Sequence, residues 1–193
     1  YTVNILSTDT VTRFNPLTNA HYEPIIKFIM AEDLPGLLQY IDEIIPSLAV
    51  GDVNWESLNI IDKFFIITTI RSICINPIVN INYTSENKDQ ESIKCNVELF
   101  TVRNNINNNY IQEPIICRDD EQSIEAEMYY PMHWDDITLP SYIHRLRIDG
   151  SDTPIQSLTV EDLNTVVDHL SPRMHTQLYK ARDKINKSIE GME

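Results

Sequence analysis

Residues 55–75 read as the strongest helix and constrain the fold more than any other part of the chain. Leu58, Ile61, Phe64, Phe65, Ile67 and Ile70 fall at helical spacing, and Ile60, Ile66 and Ile73 widen the stripe until little polar face is left. A helix this apolar loses too much on a surface, so it is expected near the centre of the core. Asp62, Lys63 and Arg71 are its only internal charges.

Around that helix the apolar period changes twice. Residues 1–18 read as two short extended pieces, with Tyr1, Val3 and Ile5 alternating, a turn over residues 7–10, and a return through Val11, Arg13 and Phe14. Pro24 is expected to open a helix and Pro35 a second one, which Pro46 ends. After Pro77 the pattern alternates: Val79, Ile81 and Tyr83, then Ile93, Cys95, Val97 and Leu99 across a polar loop at 85–91. A second hairpin follows, with Ile115, Ile116 and Cys117 leading to Ile124, Ala126, Met128 and Tyr130. The asparagine-rich run 104–109 reads as a loop by composition. Residues 132–140 look irregular, and 141–148 suit either a short helix or a strand. The last forty or so residues are helical. Thr159 and Asp162 form a capping box, Ser171 and Pro172 restart a helix, and Met174, Leu178, Ala181, Ile185 and Ile189 face inward.

Segregated strands and helices make this α+β: an antiparallel sheet of about four strands packed with amino-terminal and carboxyl-terminal helices. At 193 residues, a single domain over 1–193 is expected, with possible divisions at 1–76, 77–150 and 151–193. The chain opens on Tyr1 without a methionine, so further residues are expected at either end.

Charge and composition narrow the function. With 15 Lys+Arg against 29 Asp+Glu, the net charge is −14. A duplex-binding surface needs clustered cations, so no nucleic acid is expected as a partner. An acidic mimic that inhibits a nucleic-acid-binding protein stays open. No apolar run reaches the length of a membrane span, and no secretion signal opens the chain. Only 4 glycines occur, which argues against Gly-rich phosphate loops. Cys74, Cys95 and Cys117 include no close pair, so no zinc site is expected and the thiols read as small buried apolar groups. The 28 isoleucines and 17 asparagines reflect an AT-rich genome and carry no chemistry.

No cofactor, metal or catalytic set emerges. Asp119, Asp120 and Glu121 could hold a hard cation, but their place between two alternating runs makes a hairpin turn the better reading. His133 beside Asp135 and Asp136 could act as a general base in a hydrolase, yet no nucleophile motif accompanies it. His169 and His175 stand six apart, which is not ligand spacing on one helix face. The aromatic-rich stretch with Tyr129, Tyr130, Pro131, His133 and Trp134 is the candidate partner-binding surface.

Three stretches carry a family resemblance: the apolar helix over 60–73 with its Arg71-Ser72 pair, the strand close Glu125-Ala126-Glu127-Met128-Tyr129-Tyr130-Pro131, and the helix-then-restart pattern over 158–171. Together the chain resembles the baseplate hub and hub-assembly proteins of T-even contractile-tailed bacteriophages. The resemblance implies a structural or assembly protein that acts by binding, without catalysis. Its partners would be other phage tail and baseplate hub proteins. It would sit in the host cytoplasm during assembly, then in the virion tail baseplate. The alternative is a transient chaperone absent from the mature particle.

Overall fold

The computed structural model describes residues 1–83, 93–134, 137–155 and 158–192. It is α+β, with six helices and three antiparallel sheets among those residues. Contacts divide the chain into two compact units, neither continuous: Tyr1–Trp55 with Asp62–Asn108 and Met192–Glu193, and Glu56–Ile61 with Asn109–Gly191.

In the first unit the amino-terminal pieces pair as expected. Strand β1 (Thr2–Ile5) runs antiparallel to β2 (Thr10–Phe14), and β3 (Ala49–Val50) adds a third strand. Val3, Ile5 and Phe14 turn inward, as their alternation requires. Helices α1 (Asn19–Met30) and α2 (Leu34–Ser47) lie between β2 and β3. Pro24 does not open α1. It lies within that helix, at the cost of one backbone bond, and Pro46 lies within α2.

The helix read over 55–75 is α3 (Ile60–Cys74); the first residues of that span form a 3-10 turn at Trp55–Ser57 instead. Ile66 and Ile70 are fully buried, but Phe64 and Ile73 are 42% and 48% exposed. Two of the charges go inside instead. Asp62 Oδ1 accepts the Ser7 N–H at 3.1 Å, and the Lys63 ammonium lies 5.6 Å from the centre of the Trp55 ring. Trp55 Nε1 in turn donates to Asp42 at 2.9 Å.

Strands β4 (Ile78–Tyr83) and β5 (Ile93–Glu98) form a two-stranded sheet of their own, in register from Ile78↔Glu98 to Tyr83↔Ile93. The polar loop expected at 85–91 lies outside the described residues. The asparagine run is not a loop. It is the second half of helix α4 (Leu99–Asn109). Buried Leu99 and Ile106 anchor that helix seven residues apart, and the Arg103 guanidinium lies 5.3 Å from the Phe65 ring centre. Packing overrides the weak helix propensity of asparagine.

In the second unit the four-stranded sheet is β6 (Ile115–Asp119), β7 (Ile124–Met128), β8 (Ile143–Ile148) and β9 (Ser151–Thr153), in that order. The expected four strands were the pairs over 77–99 and 111–130; here the last two strands come from 143–153. One face turns Cys117, Ala126 and Leu146 inward. Helices α5 (Val160–Asp168) and α6 (Pro172–Glu190) complete the unit. Both starts are as read: Thr159 and Asp162 form a capping box, and Ser171 Oγ accepts the Met174 N–H at 3.0 Å. Met174, Leu178, Ala181 and Ile185 are buried, while Ile189 is half-buried. Gln177 of α6 bonds both backbone groups of Arg118 on β6, at 3.1 Å to N–H and 2.7 Å to C=O.

Candidate functional site

The 129–134 stretch divides sharply by burial. Tyr129, Tyr130 and Pro131 are inside the second unit, His133 is exposed and Trp134 is half-buried. The expectation that this whole stretch forms a surface therefore fails for its first three residues. The cause is continuation of the β7 pattern: after Ile124, Ala126 and Met128 the chain stays against the core.

The three aromatic rings of Tyr110, Tyr129 and Tyr130 form a knot. Tyr130 stacks on Tyr110 with centroids 5.0 Å apart and meets Tyr129 edge-on at 5.0 Å. Offset and edge-to-face pairs of this kind add about 0.5–1.5 kcal/mol beyond burial. Each phenol finds a polar partner. Tyr129 Oη donates to Ile111 C=O at 2.7 Å. Tyr130 Oη accepts the Ile111 N–H at 2.8 Å and lies 2.7 Å from Ser188 Oγ. Tyr110 Oη accepts from Asn59 Nδ2 at 2.9 Å, while Asn59 Oδ1 takes the Ile61 N–H at the start of α3. His144 lies edge-on to Tyr129, 5.6 Å between centroids. Its Nε2 is 2.7 Å from the Tyr130 carbonyl, which only accepts, so Nε2 carries the proton. Burial holds the His144 pKa below the ordinary imidazole value, against the backbone bond and nearby Glu127. These groups brace one another within the second unit.

Of the other singled-out groups, Asp119 has a clear place in the fold. Asp119 is buried; its carboxylate accepts from Ser171 Oγ and from the Glu121 N–H at 3.1 Å. The Ser171 hydroxyl, foremost, holds the Asp119 pKa down. Asp119 thus ties the β6–β7 turn to the start of α6, the role of a turn aspartate. Among the described residues, no group of three or more His, Cys, Asp or Glu side chains could hold a metal ion. Asp135 and Asp136, the proposed companions of His133 in a hydrolase, lie outside the described residues. Cys74 and Cys117 are free thiols, and burial raises the Cys117 pKa. His169 Nδ1 lies 2.6 Å from Thr165 C=O and His175 stacks with Tyr179, so the two histidines serve separate places. Among the described residues, no helix is long and apolar enough to cross a membrane.

Two surface features escaped the sequence reading. The first is a row of alternating charge across all four strands of the β6–β9 sheet. Arg118 Nε meets Glu125 at 2.6 Å, Arg147 Nη1 meets Glu125 at 3.2 Å, and Arg147 Nε meets Asp152 at 2.8 Å. Arg145 joins from the side, 2.8 Å from Asp152 and 3.4 Å from Glu127. The register Arg118↔Glu125↔Arg147↔Asp152 sets these residues opposite one another. Bonds from Arg145 and then Arg147 hold the Asp152 carboxyl far below its ordinary pKa.

The second is an apolar cluster at the turn between α1 and α2. Helix α1 buries none of its residues. Ile26, Ile29 and Met30 are 54%, 59% and 81% exposed, and Leu34 beyond the turn is 61% exposed. Ile26, Ile29 and Met30 stand at i, i+3 and i+4, hence on one face. Helical spacing marks such a face in the sequence, but not that it stays uncovered.

Residues 1–190 match the model of the family described as T4 bacteriophage base plate protein. No curated protein and no solved structure matches the chain.

Proposed function

The chain belongs to the T4 bacteriophage base plate protein family, and from that membership we propose that it is a structural or assembly component of the baseplate hub, acting by protein–protein binding and without catalysis. Its partners are other baseplate hub and tail proteins, met in the host cytoplasm during assembly. The observation that supports binding is the uncovered apolar cluster of Ile26, Ile29, Met30 and Leu34. Large exposed apolar patches on soluble proteins mark interaction sites. Within 129–134 the contact role falls to His133 and Trp134, whose side chains reach the surface, while Tyr129, Tyr130 and Pro131 hold the segment in place.

The test is mass spectrometry of proteins captured with the tagged chain from infected cells, set beside the composition of purified particles. Tail proteins captured from cells, with the chain also present in particles, are the expected result for a permanent hub subunit. Capture from cells with the chain absent from particles would replace the subunit with a transient assembly chaperone. Capture of no tail protein would overturn the proposal.

A further inference from the structure

Resting on that reading, we propose that the α1–α2 turn is the seat for one amphipathic helix of a different baseplate protein, apolar on the docking face and rimmed by lysine or arginine. Ile26, Ile29 and Met30 share one face of α1, and Leu34, at the start of α2 just beyond the turn, is exposed as well. A seam at i, i+3 and i+4 spacing is the width that a single partner helix covers.

The seat is built before anything lands on it. Helix α1 ends in a two-bond cap: the Glu32 N–H bonds Ile29 C=O at 3.1 Å and the Asp33 N–H bonds Phe28 C=O at 3.0 Å. Glu32 takes the left-handed conformation, φ +54°, that this cap demands. Asp33 then caps α2, its Oδ1 accepting the Gly36 N–H at 3.0 Å. Gly36 has no Cβ for a reason: one there would lie 2.8 Å from the Phe28 ring. A turn held at so many points loses little freedom on binding.

Charge selects the partner. The turn itself carries exposed Glu32 and Asp33, and the α1–α2 segment as a whole holds five carboxylates against a single cation, Lys27. That lysine is already paired with Glu23 at 2.8 Å. A second copy of this chain, itself at net charge −14, would bring like charge to like charge. A helix with a basic rim meets the carboxylates while its apolar face covers the stripe.

Three labelled 14-residue peptides test this against the full chain by fluorescence anisotropy: an amphipathic Leu/Lys helix, its Leu/Glu counterpart, and a Ser/Lys peptide of equal positive charge. The Leu/Lys peptide is expected to bind at least tenfold more tightly than either of the others. Ile29→Asp with Met30→Asp is expected to weaken it at least tenfold, and Val11→Asp, at an exposed apolar residue on β2, to leave it unchanged. Equal binding of Ser/Lys or Leu/Glu peptide, or unaltered binding by the double variant, overturns the seat. So does a wild-type dimer in sedimentation that the double variant dissolves, since a second copy would then be the occupant. Capture from infected cells separates the two levels: a double variant that retains every tail partner sinks the seat alone, whereas a wild-type chain that captures none sinks the hub reading itself.

Discussion

Tyr130→Phe is the sharpest probe of the tyrosine knot because it removes one oxygen and leaves the ring. That oxygen takes the Ile111 N–H at 2.8 Å. It also lies 2.7 Å from Ser188 Oγ, which itself donates to Ile185 C=O at 2.7 Å. The Ser188 proton is thus committed, and Tyr130 is the donor between the two hydroxyls. Phenylalanine keeps the stack on Tyr110 but leaves the Ile111 N–H without its acceptor and Ser188 without its donor. Each such bond contributes about 1 kcal/mol net, and an orphaned part-buried donor adds its desolvation cost, so the loss is about 2 kcal/mol. At a urea slope near 2 kcal/mol/M, that lowers the midpoint by about 1 M. Ser188→Ala alone is expected to cost about 1 kcal/mol. Because the two single changes break one shared bond, the double variant is expected to fall short of their sum by about 1 kcal/mol. Urea unfolding followed by near-ultraviolet circular dichroism measures all four corners of the cycle. A midpoint shift below about 0.2 M for Tyr130→Phe, or a strictly additive double variant, would refute the hydroxyl-to-hydroxyl bond.

Three further outcomes are expected. Glu32→Gly relieves a side chain held at φ +54° and is expected to stabilise the chain by about 0.5–1 kcal/mol in urea unfolding; a loss would mean that the glutamate side chain outweighs the strain. The lowered His144 pKa means that the unfolded chain binds the proton more readily. Stability is therefore complete above the unfolded value of about 6.5 and declines as pH falls below it, and His144→Gln is expected to flatten that slope between pH 7.5 and 5.5 in thermal melts. Carbon-13 NMR titration should find the Asp152 carboxyl ionised well below the ordinary aspartate range, moving back toward it in the Arg145→Gln, Arg147→Gln double variant; an unmoved titration would exclude the arginines as the cause.

How far the fold could be read from residues depended on whether the signal was local. The Ser171-Pro172 start of α6 and the capping box at Thr159 are written within a few residues, and both stand as read. The β6–β7 hairpin follows from an apolar run, Ile115 to Cys117, and an alternating one, Ile124 to Met128, on either side of an acidic turn. Helix α4 could not be read this way, because five asparagines hide a helix held by two anchors, Leu99 and Ile106, and by Arg103 against Phe65. The internal Pro24 misled for a similar reason: a helix starting at Asn19 tolerates the missing bond that a local rule takes as a boundary. At the candidate surface, aromatic content alone does not separate an interface from a core. Tyr129 and Tyr130 went inside because Ile111, Ser188 and Asn59, remote in sequence, supply partners for the knot. Exposure of Met30 was equally invisible, since it depends on what fails to pack against it.

The Gln177 side chain bears on how this sheet could meet another strand. An open sheet border is a template: any extended segment can add to it, and a second can add to the first. In this sheet the β6 border is closed at Arg118 by a side-chain amide that imitates a neighbouring strand, donor and acceptor both. The opposite border, β9, is only three residues long, carries Asp152 bound to two arginines and runs into Pro154. Both borders are thus interrupted, β6 at Arg118 and β9 by its shortness. A strand arriving at either border would have to displace the Gln177 amide at Arg118 or pair with a three-residue strand whose Asp152 is already held by two arginines.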